Sequence, residues 1–243
     1  MRNQIWVLTV FGLARCLGAW AAAPEGAVFQ PTFHTEPGTI EAGKAFVVRL
    51  EGCAHPLLIT ALRLLGPVGG LPSQLAADQL SDRVYDITLE TIGRSRQSRA
   101  LNALNITPAD ALPCCADPNT HGVGDLAAFE LPDTLAALAL PLATQAPAIG
   151  ESLFVLSPHG KVGALRMRHE VQLQAAVNGY LLFAFSEPGI ELVMSTGAPI
   201  INRDGQVVAV NIGRESSPQG LRRGVGNPVT RWGAATAHGC TAT

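Results

Sequence analysis

Apolar residues in this chain fall in short runs, broken by glycine, proline and small polar residues. Ala45-Phe46-Val47-Val48-Arg49-Leu50 reads as a strand. A turn over 51–56 leads to a second, Leu57-Leu58-Ile59-Thr60, and together they predict a hairpin. Residues 61–65 predict a short helical turn closed by Gly66-Pro67. Val84–Thr91 alternates as a half-buried strand does. Residues 126–131 form another apolar strand, entered from Gly122-Val123-Gly124-Asp125. The stretch 132–147 is rich in Ala and Leu but divided by Pro132, Pro141 and Pro147, so it predicts a crossing between two β modules with at most one helical turn. Strands then follow over 152–156, 168–176 and 180–185. Two more, 198–201 and 206–212, are joined across Asn202-Arg203-Asp204-Gly205, a sequence suited to a tight hairpin turn. Residues 24–44 read as turn-rich, with Pro31, Pro37, Gly38 and Gly43. Many short strands at this spacing predict an all-β barrel or sandwich architecture.

Composition narrows the function classes. The 243 residues are 47% hydrophobic, enough for one sizeable core or two small ones packed together. Charged residues make up 15%, with a net charge of -2. No basic stripe points to nucleic acid. Arg94, Arg96 and Arg99 form a small basic cluster that reads as a solvated loop rim.

The first residues read as an export signal over 1–22. Arg2 supplies the positive start, residues 5–13 the apolar run, and Gly18-Ala19-Trp20-Ala21-Ala22-Ala23 the small residues for cleavage. Pro24 places the cut after Ala21 or Ala22. Arg15 interrupts the apolar run, so no stable membrane span is expected after cleavage. Cys16 follows the bulky, charged Arg15, which disfavours lipid attachment. A periplasmic or secreted location follows. Cys53, Cys114, Cys115 and Cys240 then remain for disulfides, with the pairing open. A bond between the adjacent Cys114 and Cys115 would be strained, so separate partners are expected. None of the cysteine spacings resembles a metal site, and no cofactor is expected.

Three stretches, in order, resemble the trypsin-like serine peptidases, especially the compact exported bacterial kind. The pair Ala45-Phe46-Val47-Val48 and Leu57-Leu58-Ile59-Thr60-Ala61-Leu62-Arg63 looks like the strands that end in threonine-alanine-x-histidine, with Arg63 at the general base. Gly124-Asp125-Leu126-Ala127 looks like the strand carrying the histidine-orienting acid, with Asp125 in that place. Met194-Ser195-Thr196-Gly197-Ala198-Pro199, with the Asp204-Gly205 hairpin, looks like the glycine-x-serine-glycine-x-proline block. Thr196 then sits at the nucleophile and Met194 at the first glycine. The resemblance implies a chymotrypsin-like double β-barrel of two six-stranded barrels with a cleft between them. It assigns 24–135 to the first barrel, 136–150 to the linker and 151–243 to the second.

The substitutions bear on chemistry. Acyl transfer needs a neutral imidazole to take the nucleophile's proton and return it to the leaving amine. A guanidinium stays protonated and cannot do this. Arg63 is instead expected to pair with Asp125. The extra methyl of Thr196 would crowd the position of a serine Oγ. Met194, in the oxyanion turn with Ser195 and Thr196, replaces a glycine whose backbone angles it tolerates poorly, so a remodelled turn is expected. The implied function is a noncatalytic homologue, an exported binding or scaffold protein taking a peptide or protein in the cleft. The alternative is an unusual serine/threonine endopeptidase with a displaced base. The chain's histidines are His34, His55, His121, His159, His169 and His238, and His55 and His121 stand nearest the cleft blocks in sequence.

Overall fold

The computed structural model describes residues 26–91, 97–99, 102–104, 106, 114–115, 124–159, 166–187, 194–216, 222–232 and 240. The expected signal segment, Arg94, Arg96, His121 and His238 lie outside them. The first module contains β1 (Val28–Thr35), β2 (Gly38–Glu41), β3 (Ala45–Val48), β4 (Leu57–Thr60), β5 (Val84–Thr91), β6 (Gln97–Arg99), β7 (Ala103–Leu104) and β8 (Ala127–Glu130). The second contains β9 (Ser152–His159), β10 (Arg166–Val177), β11 (Tyr180–Phe185), β12 (Pro199–Ile201), β13 (Val207–Ser216) and β14 (Arg222–Pro228).

β9–β14 close a six-stranded barrel in the order β10-β11-β14-β13-β12-β9. β1–β8 form one eight-stranded sheet, running β6-β5-β1-β3-β4-β8-β7, with β2 on β1. The resemblance implied a second six-stranded barrel here. Among the described residues the end strands β6 and β7 do not pair with each other. The expected hairpin of β3 and β4 is present, in the register Phe46↔Ile59 and Val48↔Leu57.

The turn-rich reading of 24–44 is corrected, because this stretch carries β1 and β2. Pro31 explains how a proline fits within β1. On one edge, Val28 and Phe29 pair with β3 while Thr32 through Thr35 pair with β2, so Pro31 falls in the gap between the two partners. A residue lacking an N–H is tolerated at such an interruption. The sequence reading also passed over β14, whose Gly224, Gly226 and Asn227 resemble a turn. Gly224 is there for space: a Cβ at this position would collide with the Phe183 ring on neighbouring β11.

The linker holds the modules together by backbone bonds. Leu140 N–H donates to Val47 of the first sheet at 2.8 Å, and Ala143 N–H donates to Val207 of the barrel at 2.9 Å. Residues 133–138 form the one helical stretch of this crossing, a 3-10 helix. A continuous apolar core spans both modules, from Phe46, Val48 and Ile59 to Ile200, Val210 and Val225. A second core fills the far side of the first sheet around Phe29, Phe33 and Leu58.

The cysteine expectation is also corrected. Cys53 joins Cys240 with Cα atoms 4.8 Å apart, and Cys114 is bonded to its neighbour Cys115. Once Cys53 and Cys240 are committed to each other, the adjacent pair has only itself among the described cysteines. No helix among the described residues is long and apolar enough to cross a membrane.

Gly224→Ala tests the close approach of β14 to β11. The added methyl must displace Phe183, and overpacking of this kind costs about 1–3 kcal/mol. Urea unfolding should show a lower midpoint with an unchanged slope.

Candidate functional site at the module interface

β4 and β8 are antiparallel neighbours, with Thr60 opposite Ala127. Arg63 lies three residues past the end of β4, and Asp125 two residues before the start of β8. The pairing therefore brings both to the same end of the strand pair. Arg63 sits in a 3-10 turn, Leu62–Leu65, which Gln74 ties down by donating to the carbonyls of Leu62 at 2.9 Å and Leu65 at 3.2 Å.

There the two side chains meet. The backbone N–H of Arg63 donates to Asp125 Oδ1 at 2.9 Å, and Arg63 Nε donates to Oδ2. Arg63 is 4% exposed and Asp125 fully buried. Burial holds the Asp125 carboxyl above its ordinary value, partly offset by the Arg63 charge and by hydrogen bonds from Arg63 and the Leu62 backbone. Those donors favour the carboxylate, and the site is an ion pair out of water. Asn227 of β14 closes it from the second module, donating to the Asp125 carbonyl at 3.3 Å.

The Met194–Pro199 block packs against the first module through backbone. Lys44 N–H donates to the Thr196 carbonyl at 2.7 Å, and Thr60 Oγ1 donates to the Lys44 carbonyl at 2.7 Å. Gly197 is the residue that lets them approach. Its φ is +86°, and a Cβ there would overlap the Lys44 carbonyl oxygen. Ser195 turns inward: it is 6% exposed, and Asn211 Nδ2 donates to its Oγ at 2.9 Å and its carbonyl at 3.0 Å. Met194 has φ +61° and is 45% exposed. Met194 thus holds a left-handed backbone angle, and the next three residues are fixed by interface contacts.

Thr196 and Met194 line an open cleft of about 510 Å³ with Glu41, Gly43, Leu64 and Val68. Leu64 directly follows Arg63, so the cleft and the buried pair are neighbours. Its walls present polar and apolar surface in nearly equal measure, with Glu41 and Thr196 as the polar side chains. The described imidazoles are engaged elsewhere. His34 stands against Tyr85 and Thr88, His55 faces Asp133 at 3.4 Å, and buried His169 contacts the Ser157 carbonyl at 2.8 Å. The His159 side chain lies outside the described residues.

Sequence reasoning missed Lys44, Asn211 and Asn227. Each is a single polar residue inside or beside an apolar run, and nothing in the sequence distinguishes it from a solvated one. Lys44 is 5% exposed, its ammonium bonded to the Gly43 carbonyl, and burial lowers its pKa.

No family model matches the chain, and no curated protein matches it. Solved structures do. The Rv3671c protease from M. tuberculosis, in its active form, superposes with a TM-score of 0.54 at 15% identity, over 98% of this chain and 91% of that one. An inactive-form mutant of the same protease gives 0.51 at 15% identity, over 96% of each chain. The serine endoprotease from Yersinia pestis gives 0.50 at 14% identity, over 85% of this chain and 60% of its own.

Gly197→Ala probes the interface directly. A left-handed alanine costs about 1–2 kcal/mol on its own, and the overlap with Lys44 adds to it. Thermal unfolding should show a clear fall in Tm, larger than for alanine at the exposed Gly70, where a Cβ meets nothing. Two sheet modules, one of them a closed barrel, with these neighbours give the chain the trypsin-like serine protease fold.

Proposed function

We propose that this chain is a noncatalytic protein on the trypsin-like fold, exported from the cell, that uses the cleft beside Thr196 to bind a peptide or a partner protein. The observation that carries this reading is Arg63. It occupies the place the resemblance gives to the general base, and its guanidinium is buried against Asp125. A group that keeps its proton cannot accept one from Thr196. Asp125 is already bonded to Arg63. The Cys53–Cys240 disulfide supports an oxidising compartment, and with it the export read from residues 1–22.

One observation favours the second reading, a hydrolase with a displaced base. Lys44 is bonded through its backbone to Thr196, and burial drives its amine toward the neutral form. Buried lysines of lowered pKa serve as bases in other enzymes.

Purified protein assayed for peptide and ester hydrolysis separates the two. The noncatalytic reading expects no turnover above buffer by wild type or Arg63→Ala, and no labelling of Thr196 by a serine-directed probe. It expects Arg63→His with Thr196→Ser to gain at most slow turnover, since Met194 still stands in the oxyanion turn. Wild-type turnover that vanishes in both Thr196→Ala and Lys44→Met would overturn it in favour of the second reading.

A further inference from the structure

Cys114 and Cys115 lie against the buried pair. Their two Sγ atoms and a carboxylate oxygen of Asp125 are all within 4.8 Å of one another. Asp125 is fully buried and Cys115 is 8% exposed, so this cluster is not a chance gathering of surface groups. Sequence spacing hides it, because an adjacent cysteine pair with an aspartate further along matches no common ligand pattern.

The sulfurs are bonded to each other in the structure, and neighbours in sequence are poorly placed for that bond. Their Cα atoms are 3.7 Å apart, whereas Cys53 and Cys240 stand at 4.8 Å. Disulfides usually span about 4.4–6.8 Å between Cα atoms, and those outside that range are easier to reduce. Cys115 also carries φ +75°, a left-handed angle that a non-glycine residue holds at a cost.

We propose that Cys114–Cys115 is a reducible pair, and that the reduced dithiol and the Asp125 carboxylate together form a three-ligand site for a thiophilic divalent ion of the zinc type. An external dithiol supplies the reduction. Two electrons and two protons pass to the sulfurs, the S–S bond breaks, and the dithiol leaves as its own disulfide. Ion binding then releases the two thiol protons to solvent. Charge balances in the buried space: the ion's two positive charges meet two thiolates, and Arg63 still meets Asp125. Arg63 gives the Asp125 carboxylate two hydrogen bonds and the Leu62 backbone a third, so of its four acceptor positions one remains for an ion. Three protein ligands with solvent in the fourth position is a common arrangement for zinc. Ion binding at this pair is independent of whether the cleft binds or hydrolyses peptides.

Co²⁺ is the probe, because thiolate ligation gives it a sulfur-to-metal charge-transfer absorption. The full chain is treated with a mild dithiol under anaerobic conditions and titrated with Co²⁺ and then Zn²⁺. The expected result is one equivalent of Co²⁺ with a thiolate band, displaced by Zn²⁺, in reduced wild type. Oxidised wild type and the reduced Cys114→Ser/Cys115→Ser variant should show none. A second readout needs only wild type: bound Zn²⁺ should protect Cys114 and Cys115 from alkylation while leaving Cys53 and Cys240 reactive once their bond is opened. Equal Co²⁺ spectra for reduced wild type and the double variant, or no protection by Zn²⁺, would overturn the proposal. So would opening of Cys53–Cys240 before Cys114–Cys115.

Discussion

The Arg63–Asp125 pair is the contact around which the interface is arranged. Taking two charges out of water is costly, and their attraction repays it only when the remaining hydrogen-bonding capacity is filled. The sequence fills it from several directions. β4 and β8 pair in the register that brings the two residues to one end, and Gln74 fixes the turn that carries Arg63. Backbone N–H groups of Arg63 and Leu62 complete the carboxylate, and Asn227 reaches across from the barrel to the Asp125 backbone. In this chain Arg63 supplies the positive charge that the buried acid faces.

The Met194–Pro199 turn follows a similar logic. Gly197 brings Lys44, Thr60 and Thr196 into backbone contact, and Asn211 satisfies Ser195 from below. These interactions serve packing between the modules whether or not bonds are cleaved in the cleft. A left-handed Met194 is consistent with a turn whose shape is dictated by that packing. The cleft that remains, between Leu64, Val68 and Thr196, is open and lined by polar and apolar surface in nearly equal measure.

Much of the fold was legible in the sequence. The alternation of Val84–Thr91, the apolar runs of β3 and β4, and the Asn202–Gly205 turn gave strands where strands are found. The pairing of Arg63 with Asp125 was also legible, since the resemblance placed an arginine beside an acid. Three features were not. β1 was obscured by Pro31, whose tolerance depends on a gap between two partner strands that no local pattern reveals. β14 was obscured by glycines that look like turn residues but make room for Phe183 and its neighbours. The nearness of Cys114 and Cys115 to Asp125 arises from tertiary folding alone.

The most direct test of this account is a double-mutant cycle on unfolding free energy, using Arg63→Ala, Asp125→Ala and the two together. Removing one partner leaves the other charged and buried, which costs about 3–5 kcal/mol. Removing both leaves no stranded charge, so the double variant should lose far less than the sum of the singles. The account predicts a coupling near the upper end of the roughly 0.5–3 kcal/mol seen for contacting residues. Additive losses, with no coupling between the two positions, would contradict it.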